Sequence, residues 1–260
     1  MSGSSNALPL AAQILGIGFW SPWWPDWPSM RKALLGQCLE STVIARPAVD
    51  LLPRNEQRRA PLSVLMSVAA AHEAVQHSGL QPASLPSVFA SAHGDLATVD
   101  DLCRTLAVDP VLLSPTRFHH SVHNAASGYW TQAVAAHVPS TAIASFEQTF
   151  SEGLREAVLQ TRDGAPVLLV AADTEAPPGL QALNASRASL AVALVLGPAR
   201  SDLDPSQAAD PLRPPGIVVQ RLGSNPLSEG LPLLQAIAQG HGAVKFPLHP
   251  RGCVTLRAST

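Results

Sequence analysis

Two short apolar segments, residues 165–173 and 188–196, place the strongest constraint on the fold of this chain. Each is far shorter than the roughly 20 residues of a membrane-spanning helix, and short apolar runs between turn residues are typical of buried strands. Strand and helix patterns alternate along the chain up to about residue 197. This alternation predicts an α/β protein in which helices pack in layers on a sheet.

A helix is predicted for residues 61–79, because apolar residues recur at helical spacing and Gly79 follows the last of them. Residues 198–215 are rich in Pro, Asp, Ser and Ala and predict a loop or linker. The other predicted strands are residues 11–18, 87–92, 141–144, 216–221, 243–248 and 253–257, and the other predicted helices are residues 29–36, 98–107, 121–137, 145–163 and 231–239.

Four of the five tryptophans lie between Trp20 and Trp27, interleaved with Pro22 and Pro25. Proline fixes φ and removes a hydrogen-bond donor, so this segment is predicted to be a loop. Two interpretations of the tryptophans stay open. They either pack onto the domain or form an exposed aromatic patch that contacts a partner.

The composition excludes two classes of protein. With 46% hydrophobic and 14% charged residues, the chain is not intrinsically disordered. A net charge of −2 provides no basic field for nucleic acid or anionic lipid, so neither is expected as a partner. The low share of charged residues also indicates that a partner protein covers part of the surface.

The cysteines indicate a reducing compartment. Cys38, Cys103 and Cys253 are odd in number and far apart, so they predict no disulfide framework. Residues 1–10 carry no basic residue ahead of an apolar stretch, which makes them a poor secretory signal. We therefore expect a cytoplasmic protein without a membrane span.

Residues 118–124 form the densest histidine cluster, FHHSVHN. On one helix His119 and His123 would lie four residues apart on the same face and could share a metal ion. The sequence offers no third ligand and no H-E-x-x-H pattern, so no metal site is expected. No phosphate-binding or dinucleotide-binding loop is present either, and no cofactor is expected.

The start of the predicted helix 145–163 carries two features of a helix N-terminus. Ser145 and Gln148 have the spacing of a capping box, S-x-x-Q. Glu147 would lie in the first turn, where the helix dipole favours a carboxylate. On this pattern alone the segment is a well-capped helix start.

Six segments follow one another along the chain in a characteristic order: GIGFWSP, AHEA (residues 71–74), VFASAHGD, FHHSVHNAASGYW, PSTAIASFEQTFSEGLREA and VLLVAADTE. In order and spacing they make about residues 11–197 resemble the N-terminal half of a β-ketoacyl synthase. The resemblance implies an α/β, thiolase-like layered fold, of which the chain holds the N-terminal half only, as a mixed sheet with helices on its faces. It divides the chain into a ketosynthase-like part (residues 1–197), a loop or linker (198–215) and a C-terminal strand-helix-strand extension (216–260).

The chain departs from that family at the strand-to-helix elbow that carries the nucleophilic cysteine. Glu147 stands at the cysteine position, with Phe146 before it and Gln148 after it. None of the three cysteines is near this segment in sequence, and the catalytic histidines of the family's C-terminal half have no counterparts. The resemblance therefore implies no catalytic residue here and no condensation by this chain alone, because a carboxylate cannot replace the thiolate nucleophile.

A ketosynthase homologue without the cysteine resembles a chain-length factor, and a short one resembles the partner subunits of aryl polyene and xanthomonadin-type biosynthesis. This implies a heterodimer with a full-length β-ketoacyl synthase, and contact with an acyl carrier protein through the complex. The side chains expected at the substrate tunnel or the interface are Phe146, Glu147, Gln148, Phe150, His123, Asn124, Tyr129 and Trp130. Glu147 is alternatively a structural residue that stabilises the helix start or forms an ion pair across the interface.

Two other functions stay open at this point. One is decarboxylation of a malonyl-carrier thioester, with Glu147 or Gln148 supported by His120 and His123. The other is a metal-binding or ligand-binding module built on the histidine cluster.

Overall fold

The computed structural model describes residues 10–37, 42–248 and 252–258, and these residues contain one seven-stranded mixed sheet. The strands are β1 (Leu10–Trp20), β2 (Ser87–Ala90), β3 (Ser140–Ile143), β4 (Val167–Asp173), β5 (Leu190–Pro198), β6 (Val244–Pro247) and β7 (Cys253–Ala258). Their order across the sheet is β3-β2-β4-β5-β1-β7-β6. Strand β2 is parallel to β3 and β4, and β1 is parallel to β7, while β4–β5, β5–β1 and β7–β6 pair antiparallel.

Helices cover both faces of this sheet. Residues of β4 alternate between the two cores, with Leu169 on the side of the helix Thr149–Gln160 and Leu168 on the side of the helix Leu62–Ser78. All seven residues of β4 are buried, as expected for a strand covered on both faces. The helices in the described residues are α1 (Trp27–Leu34), α2 (Arg54–Arg59), α3 (Leu62–Ser78), α4 (Leu96–Val108), α5 (Pro115–Ser121), α6 (Ala125–Ala133), α7 (Thr149–Gln160), α8 (Gly216–Leu222) and α9 (Leu231–Ala238).

Helix α3 lies directly on β1, and two glycines permit the contact. A Cβ atom on Gly18 would lie 2.0 Å from the carbonyl oxygen of Ala70, and one on Gly16 would lie 2.1 Å from that of Ala74. The G-I-G sequence therefore serves close packing of a helix on a strand. Gly79 ends α3 in the left-handed region with φ of 67°, as predicted.

The opposite face packs against α1, α7, α8 and α9. Phe150 and Leu154 of α7 are buried there among the apolar side chains of β2, β4 and β5. The ring of Phe150 meets that of Phe246 edge-on, with ring centroids 5.8 Å apart. This contact ties α7 to strand β6 near the C-terminus.

The tryptophan segment packs onto the domain. Trp20 ends β1, Trp27 begins α1, and both are buried together with Trp24. The guanidinium carbon of Arg221 lies 5.3 Å from the ring centroid of Trp23. Packing is therefore the correct interpretation for the buried members of this group.

Two sequence predictions are wrong in detail. Residues 216–221 form helix α8 instead of a strand, because Val218 and Leu222, one helical turn apart, are both buried. The helix predicted at 121–137 is shorter and is formed by α6 at Ala125–Ala133, because the extended backbone of Val122 ends the preceding helix α5 at Ser121. Cys38 lies outside the described residues. The predicted domain division at residues 197 and 215 stays a prediction.

Among the described helices, none has the length and apolar character required to span a membrane.

Candidate functional site

The elbow between β3 and α7 is the centre of the candidate site. A short 3₁₀ helix, Phe146–Gln148, connects the strand to α7, which begins at Thr149. The predicted capping box is wrong, because Ser145 contributes its backbone N–H, which donates to Thr149 Oγ1 over 2.9 Å. The Thr149 hydroxyl in turn donates to the carbonyl oxygen of Phe146 over 2.7 Å. One buried threonine thus fixes the turn that the sequence assigned to serine.

Phe146 has an unusual backbone conformation for a bulky residue. Its φ is +49°, in the left-handed region, and 76% of its surface is exposed. Such a conformation costs on the order of 1–3 kcal/mol, and strained residues of this kind cluster at functional sites. The elbow therefore presents an aromatic ring to solvent at an energetic cost.

A cavity of about 670 Å³ opens beside this ring. Its walls include Phe146, Glu147 and Gln148 from the elbow, His93 from the loop after β2, and Leu183 and Asn184 from the segment between β4 and β5. The lining is mixed, with carboxylate, imidazole and amide groups beside apolar side chains. We refer to this space as the elbow cavity.

Asp173, the last residue of β4, is buried behind the elbow cavity. Its carboxylate accepts hydrogen bonds from Ser91 Oγ at 2.7 Å and from the backbone N–H groups of Ala92 at 2.8 Å and His93 at 3.1 Å. Burial raises the pKa of the Asp173 carboxyl, and the hydrogen bonds oppose that shift. The carboxylate thereby fixes the loop that carries His93 to the cavity.

The structure brings three of the predicted site residues together and places the others elsewhere. Phe146, Glu147 and Gln148 share the elbow cavity. Phe150 and Trp130 are fully buried, one on each side of the sheet. His123 is exposed, with its Nε2 atom 2.9 Å from the carbonyl oxygen of Ser91, and lines a small cavity of about 30 Å³.

Asn124 and Tyr129 line a separate cavity of about 490 Å³. The Tyr129 hydroxyl lies 3.0 Å from His120 Nε2 and donates to Glu56 over 3.4 Å. Burial lowers the pKa of His120, and the neighbouring His119 lowers it further. His119 lies on α5 and His123 in the following loop, so the single-helix geometry that suggested a shared metal is wrong. No group of three metal-ligating side chains is arranged for a metal ion in the described part of the chain.

His93 is the site residue that sequence reasoning missed. It follows β2, and residues just beyond the carboxyl ends of strands commonly line sites in α/β sheets. The segment VFASAHGD contained this signal, because it ends a buried strand in a loop with a histidine. Leu183 and Asn184 come from an irregular segment whose position the sequence pattern does not predict.

Residues 24–249 match the protein family described as "Beta-ketoacyl synthase, N-terminal domain". The chain belongs to this family. The resemblance and the thiolase-like α/β fold predicted from sequence are therefore confirmed. The comparison with curated proteins found no match.

Solved ketosynthase structures share the fold. A chain in the structure of the ketosynthase ApeO in complex with its chain length factor ApeC, from Xenorhabdus doucetiae, matches with a TM-score of 0.68 and 20% identity, over 93% of this chain and 96% of that one. The ishigamide ketosynthase/chain length factor matches with a TM-score of 0.60 and 13% identity, over 74% of this chain and 63% of that one. A β-ketoacyl synthase from Burkholderia phymatum STM815 matches with a TM-score of 0.57 and 14% identity, over 72% of this chain and 59% of that one. This chain thus spans somewhat under two thirds of the last two chains and nearly all of the first.

Proposed function

We propose that this chain is a non-catalytic, chain-length-factor-like subunit that pairs with an active β-ketoacyl synthase and shapes its acyl tunnel. The observation that carries the proposal is that the elbow holds Phe146, Glu147 and Gln148 and no cysteine, and the family resemblance assigns Glu147 to the position of the nucleophilic cysteine. A carboxylate cannot form the thioester through which that reaction passes. Of the cysteines that the structure describes, Cys103 belongs to α4 and Cys253 to β7, so neither is part of the elbow.

The choice of partner is supported by the first structural comparison. That match covers nearly all of both chains, and the structure contains a ketosynthase with its chain length factor. By analogy the partner of this chain is a full-length β-ketoacyl synthase in a heterodimer, and an acyl carrier protein delivers the substrate to the complex. The product class would be a polyene of the aryl polyene or xanthomonadin type, made in the cytoplasm.

The exposed elbow is the part of this chain that would meet the growing acyl chain. Phe146 offers a large apolar surface to solvent beside a cavity, and such surface is commonly covered by a partner or a ligand. Glu147 and Gln148 would line the same wall. His123, Asn124 and Tyr129 would contact the partner from the neighbouring surface. Phe150 would support the elbow wall from the core, and Trp130 would support the neighbouring surface from the opposite side of the sheet.

Co-expression with the neighbouring full-length ketosynthase tests the proposal, with size exclusion and mass detection as the measurement. We expect a stable 1:1 complex, and poor solubility of this chain alone. In the complex Phe146→Ala should shift the distribution of product lengths. Phe118→Ala, which changes an exposed phenylalanine outside the elbow cavity, is the matched control. A well-behaved monomer that does not bind the ketosynthase would contradict the proposal.

Decarboxylation of a malonyl-carrier thioester is a second candidate, because His93 shares the elbow cavity with Glu147 and Gln148. Cleavage of the carbon–carbon bond releases CO₂ and leaves an enolate, which hydrogen-bond donors would stabilise and which then takes up a proton. The histidines first considered for this role, His120 and His123, line other cavities. CO₂ release from malonyl-carrier protein that disappears in His93→Ala and Glu147→Ala would establish this activity. Absence of turnover, alone and in the complex, would exclude it.

A further inference from the structure

Two buried polar residues, Asp173 and Asn225, connect the loops that form the wall of the elbow cavity. We propose that they are positioning residues, which set the shape of this cavity without touching its contents. Where the cavity walls the acyl tunnel they would also set product length, and that second statement rests on the proposed function. Both residues are almost completely buried, so they act through the residues that they hold.

Asp173 holds the first loop. Its carboxylate accepts from Ser91 Oγ and from the backbone N–H groups of Ala92 and His93, over 2.7–3.1 Å. Ser91 Oγ also accepts from the N–H of Gly94 over 2.9 Å, which closes the loop on itself. The direction of the His93 side chain into the cavity thus depends on a carboxylate that belongs to another strand.

Asn225 connects three further segments of the chain, those that contain Asp173, Ala188 and Leu227. Its Nδ2 atom donates to the backbone carbonyl oxygens of Asp173 at 2.9 Å and Ala188 at 2.8 Å. Its Oδ1 atom accepts from the N–H of Leu227 over 2.9 Å. One side chain therefore joins the end of β4, the start of β5 and the turn that precedes α9.

The segments held by this pair contribute His93, Ser186, Ser224 and Pro226 to the cavity wall. His93 is bonded directly through its N–H group, and Ser224 and Pro226 flank Asn225 in sequence. Ser186 lies two residues before Ala188, and its hydroxyl donates to the Ala188 carbonyl oxygen over 3.2 Å. Loss of a buried acceptor leaves its donors unpaired, so the loops must open or move to regain partners.

Asp173→Asn is the principal test, because the amide keeps the size of the side chain but replaces one acceptor oxygen with a donor. Ser91→Ala is the milder variant, since it removes one hydroxyl and leaves Asp173 in place. The matched control is Thr161→Val, which removes a buried hydrogen bond of 2.7 Å to the carbonyl oxygen of Val158, outside the elbow cavity.

The first readout is the rate at which diethyl pyrocarbonate modifies His93, measured by mass spectrometry relative to the exposed His137. We expect this ratio to rise by about threefold or more in Asp173→Asn and less strongly in Ser91→Ala, because a loop released from its anchor opens more often. Thr161→Val should keep the wild-type ratio. An unchanged or lower ratio in Asp173→Asn and Ser91→Ala, both folded by circular dichroism, overturns the positioning role.

The second readout is the distribution of product lengths in the complex with the ketosynthase. We expect Asp173→Asn and Asn225→Ala to shift it and Thr161→Val to leave it unchanged. A changed labelling ratio with unchanged products overturns the link to product length and leaves the positioning role intact. If the wild-type chain forms no complex, the proposed function fails, while the labelling result still decides the positioning role.

Discussion

The hydroxyl of Thr149 donates a 2.7 Å hydrogen bond to the carbonyl oxygen of Phe146 and so holds that residue in the left-handed conformation. The same hydroxyl accepts from the N–H of Ser145. A single side chain therefore satisfies backbone groups on both sides of the elbow.

Thr149→Val should destabilise the fold by about 1–3 kcal/mol, because it keeps the shape of the side chain but removes two hydrogen bonds and leaves the half-buried N–H of Ser145 without its acceptor. Thr149→Ser keeps the hydroxyl and should lower the free energy of unfolding by only about 0.8 kcal/mol, the contribution of one buried methyl group. Urea unfolding of the three proteins measures the difference. Equal losses in the two variants would show that packing, and not the hydroxyl, fixes the elbow.

Phe146→Gly should leave stability unchanged or raise it by up to about 1 kcal/mol, because glycine adopts positive φ without strain. The matched control is Phe118→Gly, since Phe118 is also exposed, at 62%, but lies inside α5. There the glycine should lower the free energy of unfolding by about 1 kcal/mol, because glycine is a poor helix former. Thermal unfolding compares the two, and equal destabilisation would contradict strain at Phe146.

Gly18→Ala should lower the free energy of unfolding by about 3 kcal/mol, because overpacking against fixed backbone forces α3 away from β1. The new Cβ would lie 2.0 Å from the Ala70 carbonyl oxygen. Gly128→Ala is the control, since apart from its chain neighbours and the backbone of its own helix no described atom lies within 4 Å of its added Cβ. On α6 that change should stabilise by about 0.5–1 kcal/mol. Similar effects of the two substitutions on the urea midpoint would contradict the close helix–strand contact.

His120 should make the fold less stable in mild acid. Burial and His119 hold the pKa of His120 below its usual value of 6.5, while Asp95 and Glu56 partly oppose this. The unfolded chain therefore binds a proton before the folded chain does, and stability falls as the pH drops below 6.5 towards the folded pKa. Between about pH 7.5 and about pH 5.5, the wild type should lose more unfolding free energy than His120→Asn. Parallel losses in the two proteins would show that His120 does not contribute.

Much of the fold was predictable because its signals are local. The apolar runs of β4 and β5 and the Gly79 terminus of α3 each lie within a few residues of the feature that they predict. The α8 segment was misassigned as a strand, because in a short apolar run the sequence does not show which side chains will meet a core. Val218 and Leu222 face one core at helical spacing, and packing decided the outcome.

The same distinction between local signals and tertiary packing applies to the candidate site. The sequence by itself determined that Glu147 stands at the elbow and that a strand, a turn and a helix surround it. The tertiary structure decided that His93 shares its cavity, that His120 and His123 do not, and that Phe146 has positive φ. The reason is physical: the hydrogen bonds that Asp173 accepts from residues 81 and 82 positions earlier, and the one that Asn225 donates to a residue 52 positions earlier, depend on the pairing order of the strands. No local pattern in the sequence encodes that order.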